Sequence, residues 1–199
     1  CFFLAVTMGG IGYTMIHHLT RAGWSVAIRR LCEGLGMNIF LLAILILPLL
    51  AMVRDLYPWF NDAHRAADED LVAKSGYLNP TFFYIRLVAY FVLWGFLAFF
   101  YWSKSIQQDK TGDPKTSILM ERVSAPLMYL YGFSLTGFVF DWIMSLNPYW
   151  FSTIFGVYFF AGCMLSMWST IVLLSLYLKK RGLIGDAINH EHYHDLGKW

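Results

Sequence analysis

A chain of 199 residues that is 58% hydrophobic and only 14% charged departs from the about 45–50% apolar, about 25% charged make-up of a soluble domain, so part of its apolar surface has to face lipid. Aromatics at 19%, with 8 Trp and 12 Tyr, suit a membrane protein whose rings anchor at the headgroup regions. The net charge of +2 brings no concentrated basic stripe and argues against a nucleic-acid partner. Cys1, Cys32 and Cys163 form no CxxC or CxxCH, which leaves covalent c-type haem, a zinc ribbon and a ferredoxin-type iron–sulfur motif unsupported.

A membrane span needs about 20 mainly apolar residues, and the chain offers five. The first, residues 1–18, opens on Cys1-Phe2-Phe3-Leu4 with no Met, so a truncated span in an internal part of a longer protein is expected. A short basic connection, His17 to Glu33, continues as helix into the second span, residues 24–55, where Pro48 should produce a kink. Arg54 to Pro80 reads as an acidic loop (Asp62, Asp68, Glu69, Asp70).

The third span, 80–104, starts on a proline suited to a first helical turn and carries one charge, Arg86. Lys104 to Arg122 reads as a polar connection turning at Gly112-Asp113-Pro114. The fourth span, 120–146, is uncharged from Val123 to Phe140 and is expected to run to Asn147-Pro148. The fifth covers 149–179, and a polar, His-rich segment follows to Trp199. The expected architecture is a single all-α domain, 1–199: a polytopic transmembrane helical bundle of about five spans.

Basic residues are unevenly divided between the two faces. Arg21, Arg29, Arg30, Lys104, Lys110, Lys115, Arg122, Lys179, Lys180, Arg181 and Lys198 fall on one; Arg54, Arg65, Lys74 and Arg86 fall on the other. The positive-inside rule then makes the first face cytoplasmic. Small residues four apart, Gly162, Ser166 and Thr170 on the fifth span and Gly132 and Thr136 on the fourth, are expected at helix contacts.

Charged groups inside spans are the candidates for chemistry. Arg86 lies about 9 Å into the third span, and Asp141 is placed about 9 Å before the end of the fourth. Asp55 ends the second span on the same face. These three are expected to cluster, either as a proton entry or exit group or as an ion pair that pins helices together. At the opposite face gather His17, His18, Arg21, Arg29, Arg30, Glu33, Glu121 and Arg122, among which Glu33, Glu121 and His18 are the proton-carrying candidates. The alternative is that these groups snorkel and set orientation. All six histidines lie at span ends or in loops, so no haem within the bundle is supported. His190, His192 and His194 would share one face only in an extended segment.

Several segments together resemble a known family: His17-His18-Leu19-Thr20-Arg21-Ala22-Gly23-Trp24-Ser25 through Arg29-Arg30, Leu56-Tyr57-Pro58-Trp59, Lys74-Ser75-Gly76-Tyr77-Leu78-Asn79, Asp141 through Tyr158, and His192-Tyr193-His194-Asp195-Leu196-Gly197-Lys198. They resemble the F subunit of bacterial alternative complex III, an NrfD-like membrane subunit of a quinol:cytochrome c oxidoreductase. The resemblance implies a multi-pass protein of the bacterial cytoplasmic (inner) membrane with no redox centre of its own. Iron–sulfur clusters and c-type haems are implied in an iron–sulfur protein and a multihaem cytochrome c, and the quinol site in a second NrfD-like subunit. It also implies a proton-pathway role, carried to Asp141 and the His17–Arg30 group. Two competing readings are a quinone-binding NrfD-like anchor and a secondary transporter; nearly charge-free mid-span positions disfavour the transporter.

Overall fold

The computed structural model describes residues 1–23, 26–184 and 188–198, within which every regular element is a helix and no strand occurs. Five stretches are long and apolar enough to cross a membrane: Phe2–Leu19, Ile28–Ala51, Pro80–Thr111, Pro114–Leu146 and Phe155–Lys180. The protein is therefore an all-α membrane-spanning bundle. The expected start of the second span at Trp24-Ser25, and Trp199, lie outside the described residues.

Helix α1 (Phe2–Leu19) is the central element. Two thirds of it (67%) is buried, against 11–33% of the apolar window in the other four spans. Its glycines make this possible. A Cβ on Gly9 would sit 2.4 Å from the Cys163 carbonyl oxygen, one on Gly10 2.7 Å from that of Cys32, and one on Gly12 2.8 Å from the Tyr131 hydroxyl. Three neighbouring helices thus reach the α1 backbone, the close approach that small residues permit in lipid.

The glycines expected at contacts behave differently. Gly132 and Gly162 meet nothing within 4 Å, and Gly162 is exposed. Thr136 does pack on Gly156, whereas Thr170 donates to its own helix at Ser166 O (2.7 Å). Spacing alone identified small residues on these helices but not the face they occupy.

The second span is a chain of short helices, α2 (Val26–Met37), α3 (Ile39–Leu45), α4 (Leu47–Ala51) and α5 (Val53–Leu56). The break at Ile46 precedes Pro48, as expected, since the proline supplies no N–H to the preceding turn. Beyond it lie α6 (Asp62–Ala67) and α7 (Glu69–Ala73).

Helix α8 (Pro80–Thr111) runs into α9 (Pro114–Trp142) through two residues only. The expected connection over 104–122 is thus mostly helical. Gly112 takes the left-handed conformation (φ 64°), and its N–H bonds to Gln108 O, as at many helix ends. Asp113 caps the next helix by accepting from Lys115 N (2.9 Å). Pro126 lies inside α9, a second intramembrane proline beside Pro48.

Helix α9 also stops earlier than expected, at Trp142 rather than Asn147. A 3-10 turn, Met144–Leu146, follows, with Ser145 Oγ donating back to Asp141 O. Helix α10 (Phe155–Lys180) then packs along α1, and α11 (His190–Lys198) ends the described chain. Because α11 is helical, His190 and His194 share a face and His192 does not; the His192 ring instead contacts Asn189 Oδ1 (2.6 Å).

Candidate functional site

Two buried polar clusters occupy opposite ends of the bundle. At the end carrying the acidic loop, Asn79 caps α8 by accepting from Phe82 N (2.8 Å), which sets the helical phase that turns Arg86 inward. Asp141, in the last turn of α9, is 1% exposed and Arg86 9%. Arg86 Nε donates to Asp141 Oδ2 (2.7 Å) and Nη2 to Oδ1 (2.9 Å). Tyr90, one turn further along α8, donates its hydroxyl to Oδ2 (2.9 Å). The carboxylate accepts these three hydrogen bonds, two of them from a guanidinium, and the Tyr77 hydroxyl is a further hydrogen-bonding neighbour. Arg86 is completed by Nη1 donating to Tyr77 O (3.1 Å) and by the ring faces of Tyr77 and Phe82 at 4.0 and 4.2 Å.

Depth alone does not bury this pair, since α9 ends one residue later. The cover is the 54–80 segment, expected as an acidic loop and found to have a small core of its own. Val53, Tyr57, Trp59, Phe60, Leu71 and Leu78 pack together against Phe83 of α8. Tyr57 donates its hydroxyl to Trp142 O (2.8 Å) and Trp59 its indole N–H to Ser145 O (3.2 Å). Lys74 Nζ reaches Pro148 O (2.6 Å), and the Tyr149 hydroxyl bonds Asp68. Aromatic rings and bonds to the carbonyls of Trp142, at the end of α9, and Ser145, in the turn after it, thus form a lid over Asp141. Burial first, then the Asp141 charge, raises the Tyr57 and Tyr77 phenols above their ordinary value, so both remain neutral rings around the carboxylate.

Asp55 does not join the cluster. It is exposed at the end of α5, and none of the bonds of Arg86 or Asp141 reaches it. The chain extends at Tyr57 (φ −116°, ψ 116°), which sends the phenol inward in place of the carboxylate.

At the basic end the centre is Glu33, whose side chain is fully buried. It lies 3.2 Å from Arg29 Nε and 3.2 Å from Arg30 Nη1. These are charge contacts rather than aligned hydrogen bonds: among the described residues neither carboxylate oxygen has a hydrogen-bonding partner of good geometry. Ser105 faces Glu33, and its hydroxyl is likewise unaligned. Arg30 is steadied by Asp109 and by the Trp102 ring at 5.4 Å.

His18 is buried and stacks on Tyr101 (5.5 Å, 17°). The Tyr101 hydroxyl pairs with Ser124 Oγ (2.7 Å), and among the described residues His18 Nε2 has no hydrogen-bonding partner. Glu121 stands apart from this group: it pairs with Arg21 near the surface, and that contact raises the Arg21 guanidinium above its ordinary value.

The structure therefore brings Arg86 and Asp141 together, collects Glu33 and His18 at the other end, and leaves Asp55 and Glu121 outside. Tyr90 and Tyr101 were not among the sequence candidates. A signal did exist: each is one helical turn from a polar partner on α8, Tyr90 from Arg86 and Tyr101 from Ser105. Among the described residues no group of three His, Cys, Asp or Glu is placed to hold a metal ion.

No family model and no curated protein matches the chain, so the likeness to alternative complex III rests on the sequence segments themselves.

Proposed function

We propose that this chain is a non-redox membrane subunit of a quinol:cytochrome c oxidoreductase of the alternative complex III type, seated in a bacterial cytoplasmic membrane, and that it contributes a route for protons. In this reading quinol oxidation occurs at a second NrfD-like subunit. Electrons pass through an iron–sulfur protein and a multihaem cytochrome c. The residues of this chain hold and move protons only.

The supporting observation is the pair of buried carboxylates, Asp141 and Glu33, at opposite ends of one bundle. From Ser124, beside His18 and Tyr101, to Asp141, α9 rises about 25 Å, most of a hydrocarbon core of about 30 Å. Ionisable groups placed this way in membrane segments mark ion and proton pathways. Polar side chains lie between them: Tyr131 donates to Met8 O (2.7 Å), Thr14 to Gly10 O (2.8 Å) and Trp94 to Ser134 Oγ (2.9 Å). Among the described residues these bonds do not form an unbroken chain, so transfer between the ends requires water. Two segments behind the resemblance, Leu56–Trp59 and Asp141–Trp150, build the lid and the carboxylate site that it covers.

Tagging the full-length protein in its native membranes and isolating it gently tests the assignment. Recovery with a haem-staining multihaem cytochrome, an iron–sulfur protein and quinol-driven cytochrome c reduction supports it. A tag that returns without any of these overturns it.

A further inference from the structure

Gly137 lies one turn before Asp141 on the same face of α9. A Cβ at this position would fall 2.6 Å from the Tyr90 hydroxyl oxygen, closer than side-chain carbons approach, and a tight 3.3 Å from its Cζ. The Tyr90 ring cannot easily move aside. It stacks on Trp94 (5.8 Å, 16°) and meets Phe138 edge-on (6.0 Å, 79°). The phenol therefore crosses the α9 backbone through the gap at Gly137 and reaches Asp141 Oδ2 at 2.9 Å. Oδ2 also accepts Arg86 Nε and Oδ1 accepts Arg86 Nη2, and the Tyr77 hydroxyl is a further hydrogen-bonding neighbour of the carboxylate. A carboxylate oxygen has about two acceptor sites, so Arg86 Nε and Tyr90 together fill those of Oδ2.

We infer that Gly137 and Tyr90 are positioning residues for Asp141: the missing side chain of one lets the hydroxyl of the other occupy Oδ2 and close that oxygen to an incoming proton. The inference rests on the proton-carrying reading of Asp141 for its purpose, but its geometry can be tested without respiratory activity.

The experiment is infrared difference spectroscopy on the purified full-length protein in its complex, with the Asp141 carboxylate bands assigned by their loss in Asp141→Asn. Tyr90→Phe removes one hydrogen bond and shifts these bands. Gly137→Ala, which leaves the Tyr90 hydroxyl intact, is expected to shift them to the same position by pushing the phenol away. The double variant Gly137→Ala/Tyr90→Phe should show no further shift. It should also recover most of the thermal stability that Gly137→Ala loses, because the closest clashing atom is gone. Wild-type bands in Gly137→Ala, or shifts that add in the double variant, would overturn the inference. If Gly137→Ala alone does not accumulate, the double variant still decides: it should accumulate as Tyr90→Phe does, and failure to do so counts against the gap. Bands that move as expected while proton yield per electron stays constant would leave the positioning pair standing and remove the proton role of Asp141.

Discussion

Arg86 and Asp141, 55 residues apart in sequence, meet as a two-point pair, Nε on Oδ2 at 2.7 Å and Nη2 on Oδ1 at 2.9 Å. The planar guanidinium matches the carboxylate in a way that an ammonium cannot, and both groups are buried. Removing one partner leaves the other charge stranded in a low-dielectric setting, a loss of about 3–5 kcal/mol. Arg86→Met should therefore lower thermal stability in lipid nanodiscs by that order, and Arg86→Lys should restore little of it. Arg86→Met combined with Asp141→Leu should cost less than Arg86→Met alone. Additive losses in this cycle would mean that the two side chains do not act as a pair.

The lid is a second point of attack. Tyr57→Phe removes one hydrogen bond to Trp142 O and should cost about 1 kcal/mol. Trp59→Ala empties a fully buried indole site, for which about 3–5 kcal/mol is typical. Hydrogen exchange should accelerate over residues 57–78 and, with the cover gone, at 142–146. Unchanged exchange in Trp59→Ala would show that the segment is not docked on α9.

Glycines divide into two groups by what surrounds them. Gly9→Val pushes into the Cys163 carbonyl and Met167 and should prevent α1 from seating, with loss of assembled protein. Gly132→Ala and Gly162→Ala meet open space and should leave expression and melting temperature within experimental error. Equal tolerance at all three positions would contradict the central placement of α1.

Asp68 supplies a pH dependence. The Tyr149 hydroxyl holds its carboxyl below the usual carboxylate range. A folded value below the unfolded one stabilises the contact above the unfolded value of about 3.9, and that support fades as pH falls through the folded value. Exchange over residues 69–74 should accelerate between pH ~5 and ~3, and Tyr149→Phe should remove most of that dependence. The same acid response in Tyr149→Phe would place its origin elsewhere.

Composition and apolar run length were enough to expose the five spans, because each carries its own hydrophobic signal. Arg86 and Asp141 stood out for the same reason, as charges inside apolar stretches. What remained hidden depended on contacts distant in sequence. The lid over Asp141 forms because Tyr57, Trp59, Leu71 and Leu78 find one another across a segment whose charges suggest an open loop. The central position of α1 depends on what faces Gly9, Gly10 and Gly12, which spacing within one helix cannot reveal. Asp55 and Arg86 were paired by depth alone, and depth carries no azimuth; the extended Tyr57 decides that Asp55 turns out. The turn at Gly112-Asp113-Pro114 was legible, but the connection around it was read too long because Lys and Gln at a helix end look like loop residues, although both are good helix formers.

The most direct test of the central claim is the proton yield per electron of quinol-driven cytochrome c reduction in liposomes. It compares the isolated complex with its Asp141→Asn and Glu33→Gln variants. Electron transfer should persist in both variants while the proton yield falls in each. Wild-type proton yield in both, with the complex intact, would reduce the two buried carboxylates to structural pairs and contradict the proton route.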